Sequence, residues 1–206
     1  MAYSRGTSNN IIVGAAALFV ADSVLTPGSL VAPVGTESFK TTLSTGTPAT
    51  DYTNVGYTMN GLELQFQPDF GDVAVDQLLD VARLFKQGMT VNLNTSFAEA
   101  TLENLLVAIA GNDTDLTSAS GVSQLKMSAG DIGDVPLERG LVAVGPGSGS
   151  SLDPKERIYV AYRALSIENV TVSAKRDEAT MFEVSFRLLP NDNASYGKIV
   201  DRNLSA

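Results

Sequence analysis

The clearest alternation of apolar and polar positions in the chain begins at residue 62. Its apolar members are Leu62, Leu64 and Phe66, and its polar members are Glu63, Gln65 and Gln67. A period of two is what a strand with one buried face and one wet face requires. Pro-Asp-Phe-Gly at residues 68–71 predicts a turn, because proline fixes φ and glycine closes the loop. With a returning strand through Val73 and Val75, the pattern predicts a β-hairpin over residues 62–76.

Two later segments show the spacing of helices. Residues 76–88 predict a short helix with Asp76 as its N-cap and Gly88 as its stop. Residues 98–110 predict a longer helix, because Ser96 and Glu99 have the spacing of a capping box and apolar residues follow at i, i+3, i+4 and i+7. The apolar positions are Leu78, Leu79, Ala82 and Phe85 in the first helix, and Leu102, Leu105, Leu106 and Ile109 in the second.

Other apolar runs predict strands. Residues 11–21 are too few to cross a bilayer, which needs about 20, and they fit a secretory signal poorly, so they predict a buried strand. Alternation predicts further strands at 89–94, at 137–144 and 157–164 joined by a Gly/Ser linker, and at 170–174 paired with 182–186. The chain is therefore predicted to be a single, mainly β domain over residues 1–206, a sandwich or barrel with one flanking helix.

Two segments fit no regular element. Residues 26–54 are rich in Pro, Gly, Thr and Ser, and a loop of that length is either a mobile surface loop or an arm that orders against a partner. Residues 195–206 follow a proline and an Asn-Asp-Asn turn, and they predict a C-terminal arm that leaves the domain.

Composition removes most catalytic chemistry. The chain has no cysteine, histidine or tryptophan, so disulfides, thiolate metal sites and Cys or His nucleophiles are excluded. Lys and Arg number 14 against 23 Asp and Glu, for a net charge of -9, and such a chain repels nucleic acid and anionic lipid. We expect a protein that is not an enzyme and that needs no cofactor.

The remaining candidate sites favour ordinary structure over chemistry. The segment that begins at Asn112 resembles a calcium loop but has Ser118 and Gln124 where glycine and glutamate are needed, so an Asn/Asp turn is the better interpretation. The glycines at 145–149 lack the helix and lysine of a phosphate loop. The acidic residues of the hairpin have no apolar surroundings to raise one pKa selectively, which argues against a glycosidase pair; they are Glu63, Asp69, Asp72 and Asp76.

The order of short motifs along the chain resembles the major tail tube proteins of long, noncontractile phage tails. In the first half these motifs are Asn-Ile-Ile-Val-Gly at 10–14, Val-Gly-Tyr at 55–57, Val-Asp-Gln at 75–77 and Phe-Ala-Glu-Ala-Thr-Leu-Glu-Asn-Leu at 97–105. In the second half they are the segments 159–164, 175–178, 182–186 and 196–201. The resemblance spans most of the chain, although residues 112–133 have no clear counterpart in the family.

The resemblance implies six-subunit rings that stack helically into a hollow tube, with long hairpins joined in one inner barrel. It implies a virion protein assembled in the host bacterial cytoplasm, with a tape measure protein in the lumen, terminator and tip proteins at the ends, no membrane, and passage of double-stranded DNA without tight binding. The lumen-facing candidates are Glu63, Gln65, Gln67 and Asp69. Residues 26–54 become a candidate inter-ring arm, and the contact candidates are Phe39, Lys40, Tyr52, Tyr196, Ile199 and Arg202.

A binding module is the alternative class. A β-sandwich that recognises carbohydrate stacks loop aromatics on sugar rings, and Tyr52, Tyr57 and Phe70 are the candidates for such a platform here. The absence of tryptophan and the scatter of these residues favour ordinary packing instead.

Overall fold

The computed structural model describes residues 10–25, 52–149 and 155–203, and this part of the chain is mainly β with one α-helix. The strands are β1 Ala17–Ala21, β2 Tyr52–Asn54, β3 Thr58–Ala74, β4 Val81–Phe97, β5 Leu116–Ala119, β6 Val122–Leu125, β7 Arg139–Pro146, β8 Lys155–Ser166, β9 Phe182–Leu189 and β10 Gly197–Asn203. The helix α1 is Leu102–Ala108, and a 3₁₀ helix covers Asp113–Asp115.

Eight strands form one antiparallel sheet in the order β2-β1-β7-β8-β9-β4-β3, with β10 also paired to β8. Strand β8 is the pivot, because β7 pairs along one edge while β10 and then β9 share the other. This division lets the sheet fold over itself as a sandwich does, and the predicted mainly β fold with one helix is confirmed. The small hairpin β5-β6 forms a separate two-stranded sheet.

The main core lies between the two halves of this sheet. It combines apolar side chains from β1 and β7 with side chains from β4 and β9, and Ala108 of α1 packs at its margin. Its largest members are Leu18, Leu141, Phe97, Phe182 and Phe186, and the rings of Phe97 and Phe186 lie 6.3 Å apart. A second cluster of buried residues, which includes Phe19, Val142 and Ile158, occupies the opposite face of β1, β7 and β8.

The predicted hairpin exists, but its turn was placed wrongly. Residues 68–71 continue β3 without turning, and the chain reverses between Ala74 and Val81. Proline is tolerated at position 68 because β3 is an edge strand, where one side needs no ladder donor. A bulge between Asp69 and Phe70 absorbs the irregularity.

The predicted helix over residues 76–88 is also wrong. Residues 81–88 belong to β4 and pair with β3 in the register Val73 to Arg83 and Asp72 to Leu84. A long antiparallel partner supplies backbone hydrogen bonds along the whole segment, and this tertiary pairing overrides a helical spacing of barely two turns.

The second predicted helix is confirmed in place and is shorter than expected. Thr101 is its N-cap, with a side chain that accepts a hydrogen bond from the Asn104 backbone N–H at 3.2 Å. Ser96 lies in β4 instead, and Glu99 accepts from the backbone N–H of Tyr57 at 2.9 Å. The predicted capping box of Ser96 and Glu99 therefore does not begin the helix, because Ser96 is part of β4.

Most of the other predicted strands are confirmed. Segments 89–94 and 157–164 fall in β4 and β8, the predicted strand at 137–144 begins two residues later as β7, and the apolar run at 11–21 forms a strand only over Ala17–Ala21. The predicted pairing of residues 170–174 with 182–186 is wrong, because 167–181 contain no strand and β9 is paired with β4 and β8. Asn112 caps the 3₁₀ helix by accepting from Thr114 N–H, which agrees with the predicted Asn/Asp turn.

The two predicted arms fall partly inside the described chain. Residues 26–51 and 204–206 lie outside it, and Tyr52–Asn54 form β2. Residues 197–203 form β10 against β8 of the same chain, so this part of the predicted C-terminal arm does not leave the sheet. Arg157 binds Asp201 through bonds of 2.6 and 2.7 Å, and Arg202 contacts Glu156 at 3.1 Å.

Candidate functional site: a projecting ribbon with a polar face

The longest feature of the fold is the hairpin of β3 and β4, whose 17-residue strands each span about 55 Å at about 3.3 Å per residue. Strand β9 accompanies β4 only as far as the pair Val91 and Leu188. Beyond that pair, residues 68–89 form ladder pairs only with one another among the described residues. We call residues 68–89 the ribbon.

Both outer edges of the ribbon are open. In the part of the chain that the structure describes, the edge of β3 that faces away from β4 has no strand partner, and neither does the edge of residues 81–90 that faces away from β3. Free N–H and C=O groups on such edges are ready to pair with another strand, and natural proteins usually cover or shorten them. A long open edge on each side of one ribbon therefore marks a surface for strand addition.

The two strands of the hairpin carry opposite charge. Strand β3 has Glu63, Asp69 and Asp72 and no basic residue, whereas β4 has Arg83 and Lys86 and no acidic residue. Neither base forms an ion pair with a described residue, and the Lys86 ammonium donates a hydrogen bond to the Met89 sulfur at 3.2 Å. One edge of the ribbon is thus acidic and the other basic, with no charge pairing between them.

The ribbon also exposes large apolar side chains. Phe70 is 56% exposed, and seven further large apolar residues of the ribbon are also exposed: Val73, Val75, Leu78, Leu79, Val81, Leu84 and Phe85. Single exposed apolar residues are common, but a contiguous group in one projecting element is typical of an interaction surface.

The four lumen-facing candidates lie on one face of β3, directed away from the core. Glu63, Gln65 and Gln67 stand opposite Asn94, Asn92 and Thr90 of β4, and Asp69 stands opposite Gly88. All four candidates are exposed, and Gln65 donates to the Glu63 carboxylate at 2.9 Å.

This polar face continues onto β9. Ser185 lies beside Asn94 and donates to its side-chain oxygen at 2.7 Å, and Arg187 lies beside Asn92. Across the three strands the face carries three carboxylates, those of Glu63, Asp69 and Glu183, and one guanidinium, that of Arg187. The surface is polar, rich in amides and acidic overall, and among the described residues it has no apolar surroundings that could turn a carboxylate into an acid catalyst.

The six predicted contact residues have different environments. Phe39 and Lys40 lie outside the described residues, and Tyr52 is buried in the second apolar cluster, where burial raises the pKa of its phenol. Tyr196 packs against the main core and donates to the Met89 carbonyl at 2.6 Å. Arg202 is held by Glu156, so among the described candidates Ile199 presents the most open apolar surface.

The three aromatic residues of the alternative hypothesis do not form one surface. Tyr52 is buried, Tyr57 is 80% exposed immediately before β3, and Phe70 lies 13 residues further along the chain within β3. At about 3.3 Å per residue, the last two are separated by roughly 40 Å.

Sequence reasoning missed the basic edge of the ribbon, because it assigned Arg83 and Lys86 to a helix. The available signal was the uninterrupted absence of acidic residues from position 81 to 97 in an acidic chain. No group of three or more acidic residues suited to a metal ion occurs among the described residues. Within the same residues, no helix has the length and apolar character needed to cross a membrane.

Comparison with known proteins adds no family assignment. No protein-family model matches the chain, and no curated protein sequence matches it.

Proposed function

We propose that this chain is a structural subunit that polymerises into the hollow tail tube of a long-tailed, noncontractile bacteriophage. The observation that carries the proposal is the ribbon, which projects beyond the sheet with one acidic and one basic open edge. An isolated ribbon of this kind is marginally stable in water, so it needs neighbours. Copies of the same chain provide both the strand edges and the opposite charges.

The edges define how copies would join. In a ring, β4 of one copy lies beside β3 of the next, and the two strands run antiparallel because each pairs antiparallel within its own hairpin. This contact is head-to-tail, so it closes into a ring when the rotation per copy divides a full turn. The resemblance to tail tube proteins gives six copies, and closure into a barrel removes the exposed edges.

The polar face would then line the channel. An acidic, amide-rich wall repels the phosphates of double-stranded DNA, so DNA passes without sticking. The screening length of about 8–10 Å at physiological salt confines this repulsion to short range, which suits a narrow channel. In this proposal the chain carries out no catalysis, and its further partners are the tape measure, terminator and tip proteins of a virion.

Electron microscopy of the purified protein tests the proposal directly. We expect the wild-type protein to form hollow tubes or six-fold rings. A variant with a shortened hairpin tests whether the ribbon is needed to form them. Replacing residues 70–87 with Asn-Gly closes the hairpin at the Asp69 and Gly88 pair with a two-residue turn. Because the removed residues pair only with one another among the described chain, the shortened protein should keep its β-rich circular dichroism spectrum while losing assembly.

Two results would overturn the proposal. One is a wild-type chain that stays monomeric at every concentration reached, and the other is a folded, shortened variant that forms rings and tubes as readily as the wild type.

A further inference from the structure

An apolar groove lies beside the base of the hairpin, on the face opposite the lumen candidates. Two adjoining cavities of about 330 Å³ each share Leu64, Phe66, Tyr159 and Ile199 in their walls. Among the described residues that line the two cavities, one side chain is charged, the ammonium of Lys198, and none is acidic. Phe66 and Ile199 are each about half exposed at the mouth of the groove. The groove is therefore apolar with a basic rim.

A second feature has the complementary character. Residues 126–136 are exposed without interruption, and they include Met127 at 92%, Val135 at 87% and a fully exposed Ile132. The same segment begins with the basic Lys126 and carries the carboxylates of Asp131 and Asp134 around Ile132. The part from Asp131 to Val135 is therefore apolar and acidic, and its bulky side chains are exposed in the described chain.

The segment has a defined shape. The backbone N–H of Asp131 donates to the Asp134 carboxylate at 2.6 Å, and the Asp134 N–H returns a bond to the Asp131 carbonyl at 3.1 Å. Ion pairs anchor the base, one between Arg139 and Asp113 and one between Arg163 and Glu138 at 2.5 Å. The turn between Asp131 and Asp134 therefore has a defined local shape that presents Ile132, and this preorganisation lowers the entropy lost when the turn binds.

We propose that the apolar groove of one copy binds the turn at residues 131–135 of a second copy. Ile132 and Val135 would enter the groove while Asp131 faces Lys198, a pairing of opposite charges in a chain whose net charge of -9 makes most contacts between copies repulsive. The turn and the groove are different parts of the surface, so the contact between copies is head-to-tail and propagates an assembly. It deepens the proposed function by adding an interface outside the ribbon, and it rests on that function only in requiring that copies assemble.

Cysteine pairing tests this contact, because the chain has no cysteine of its own. An Ile132→Cys protein is mixed with an Ile199→Cys protein under mild oxidation, and the mixture is separated on a non-reducing gel. A disulfide requires Cα atoms about 4.4–6.8 Å apart, so we expect a dimer band from this mixture. Ile132→Cys mixed with Val172→Cys is the control, since Val172 is exposed but lies outside the groove.

Charge exchange tests the pairing of Asp131 with Lys198. Asp131→Lys is added to the Ile132→Cys protein, and Lys198→Glu is added to the Ile199→Cys protein. Each change alone should lower the dimer yield by about two- to fivefold. Combining the two should restore the yield. Asp131 is chosen over Asp134 because the Asp134 side chain maintains the turn.

The outcomes separate this contact from the ribbon. Rings or tubes that give no more disulfide dimer than the Val172→Cys control overturn the groove contact and leave the ribbon standing. Disulfide dimers that form in the variant with residues 70–87 replaced support the groove contact even if the ring is wrong. Equal yields from single and combined charge variants overturn the assigned pairing.

Discussion

The side-chain amide of Asn104 joins α1 to the segment that leads into the long hairpin. Its Nδ2 donates to the Val55 carbonyl at 2.8 Å and to the Glu99 carbonyl at 2.8 Å. Asn104 is only 5% exposed, so both bonds lie where water competes poorly. One buried amide thus fixes where the helix sits relative to the start of β3.

Replacing this amide with an apolar side chain of similar size should be costly. In Asn104→Leu both carbonyls lose their donor, and each buried unsatisfied group costs about 1–3 kcal/mol. We expect the free energy of unfolding to fall by about 2–4 kcal/mol, measured by urea denaturation followed by circular dichroism.

Thr101→Ala provides a graded control on the same helix. It removes the N-cap side chain that accepts from the Asn104 N–H, which should cost about 1 kcal/mol. An Asn104→Leu protein no less stable than Thr101→Ala would contradict the role assigned to the amide.

Helix α1 shows what the sequence could predict and what it could not. The spacing of Leu102, Leu105 and Leu106 identified the helix, because periodic apolar residues report the face that packs on the core. The partners of Asn104 could not be predicted, because Val55 lies 49 residues away and no local pattern records that contact.

The pair of Arg157 and Asp201 holds β10 on β8 and predicts a pH dependence. The hydrogen bond from Arg157 holds the pKa of the Asp201 carboxyl below its ordinary value of 3.8. A lowered folded-state pKa contributes stability that is present above the unfolded value and is lost as pH falls through the folded value. Because the carboxylate is 37% exposed and screened by solvent, we expect at most about 1 kcal/mol.

Asp201→Asn should therefore be less stable than the wild type near pH 6, and the difference should shrink towards zero as pH falls below about 3.8. Urea denaturation at a series of pH values measures it. Asp177→Asn, at an exposed residue of the segment without strands, is the matched control and should show no such trend. A stability difference that stays constant with pH would exclude the linkage.

The hairpin shows how local and long-range signals compete. The polar face of β3 could be predicted from Glu63, Gln65 and Gln67, because a period of two requires only neighbours in sequence. The position of the turn could not be predicted in the same way. Pro68 and Gly71 are residue types typical of turns, but they pair with Met89 and Phe85 of β4. Pairing along 17 residues outweighed a four-residue turn signal.

The opposite charges of the ribbon edges predict that charge reversal blocks assembly. In Arg83→Glu/Lys86→Glu both edges become acidic, and like charges across a contact cost several kcal/mol. We expect the protein concentration needed for assembly to rise at least about tenfold, as measured by sedimentation and electron microscopy. Adding Asp69→Lys and Asp72→Lys to the same chain should restore assembly, because the edges are again opposite in charge.

Lys175→Glu/Arg176→Glu is the control for net charge. It changes the charge of the chain by the same amount, in an exposed segment that contains no strand. If this control blocks assembly as strongly as Arg83→Glu/Lys86→Glu, general repulsion rather than the ribbon edges governs association.

The proposed direction of the polar face predicts selective protection on assembly. A cysteine at Gln65 or Gln67, each exposed on that face, should react in the free subunit with both a small maleimide and a maleimide carrying a large polymer. In assembled tubes the small reagent still enters the channel and the polymer does not. We expect the polymer reaction alone to slow by at least about tenfold, because a channel formed by a closed barrel excludes bulky chains.

Val172→Cys provides the comparison, since that side chain is exposed and lies outside the hairpin. Its reaction with the polymer reagent should change little on assembly, because the tube interior is formed by β3 and β4 in this arrangement. Equal polymer labelling of Gln67→Cys in free and assembled protein would place the polar face outside the channel. In that case the acidic and amide side chains of β3 would form the tube exterior, and the ribbon would have to enter the barrel with its opposite face inward.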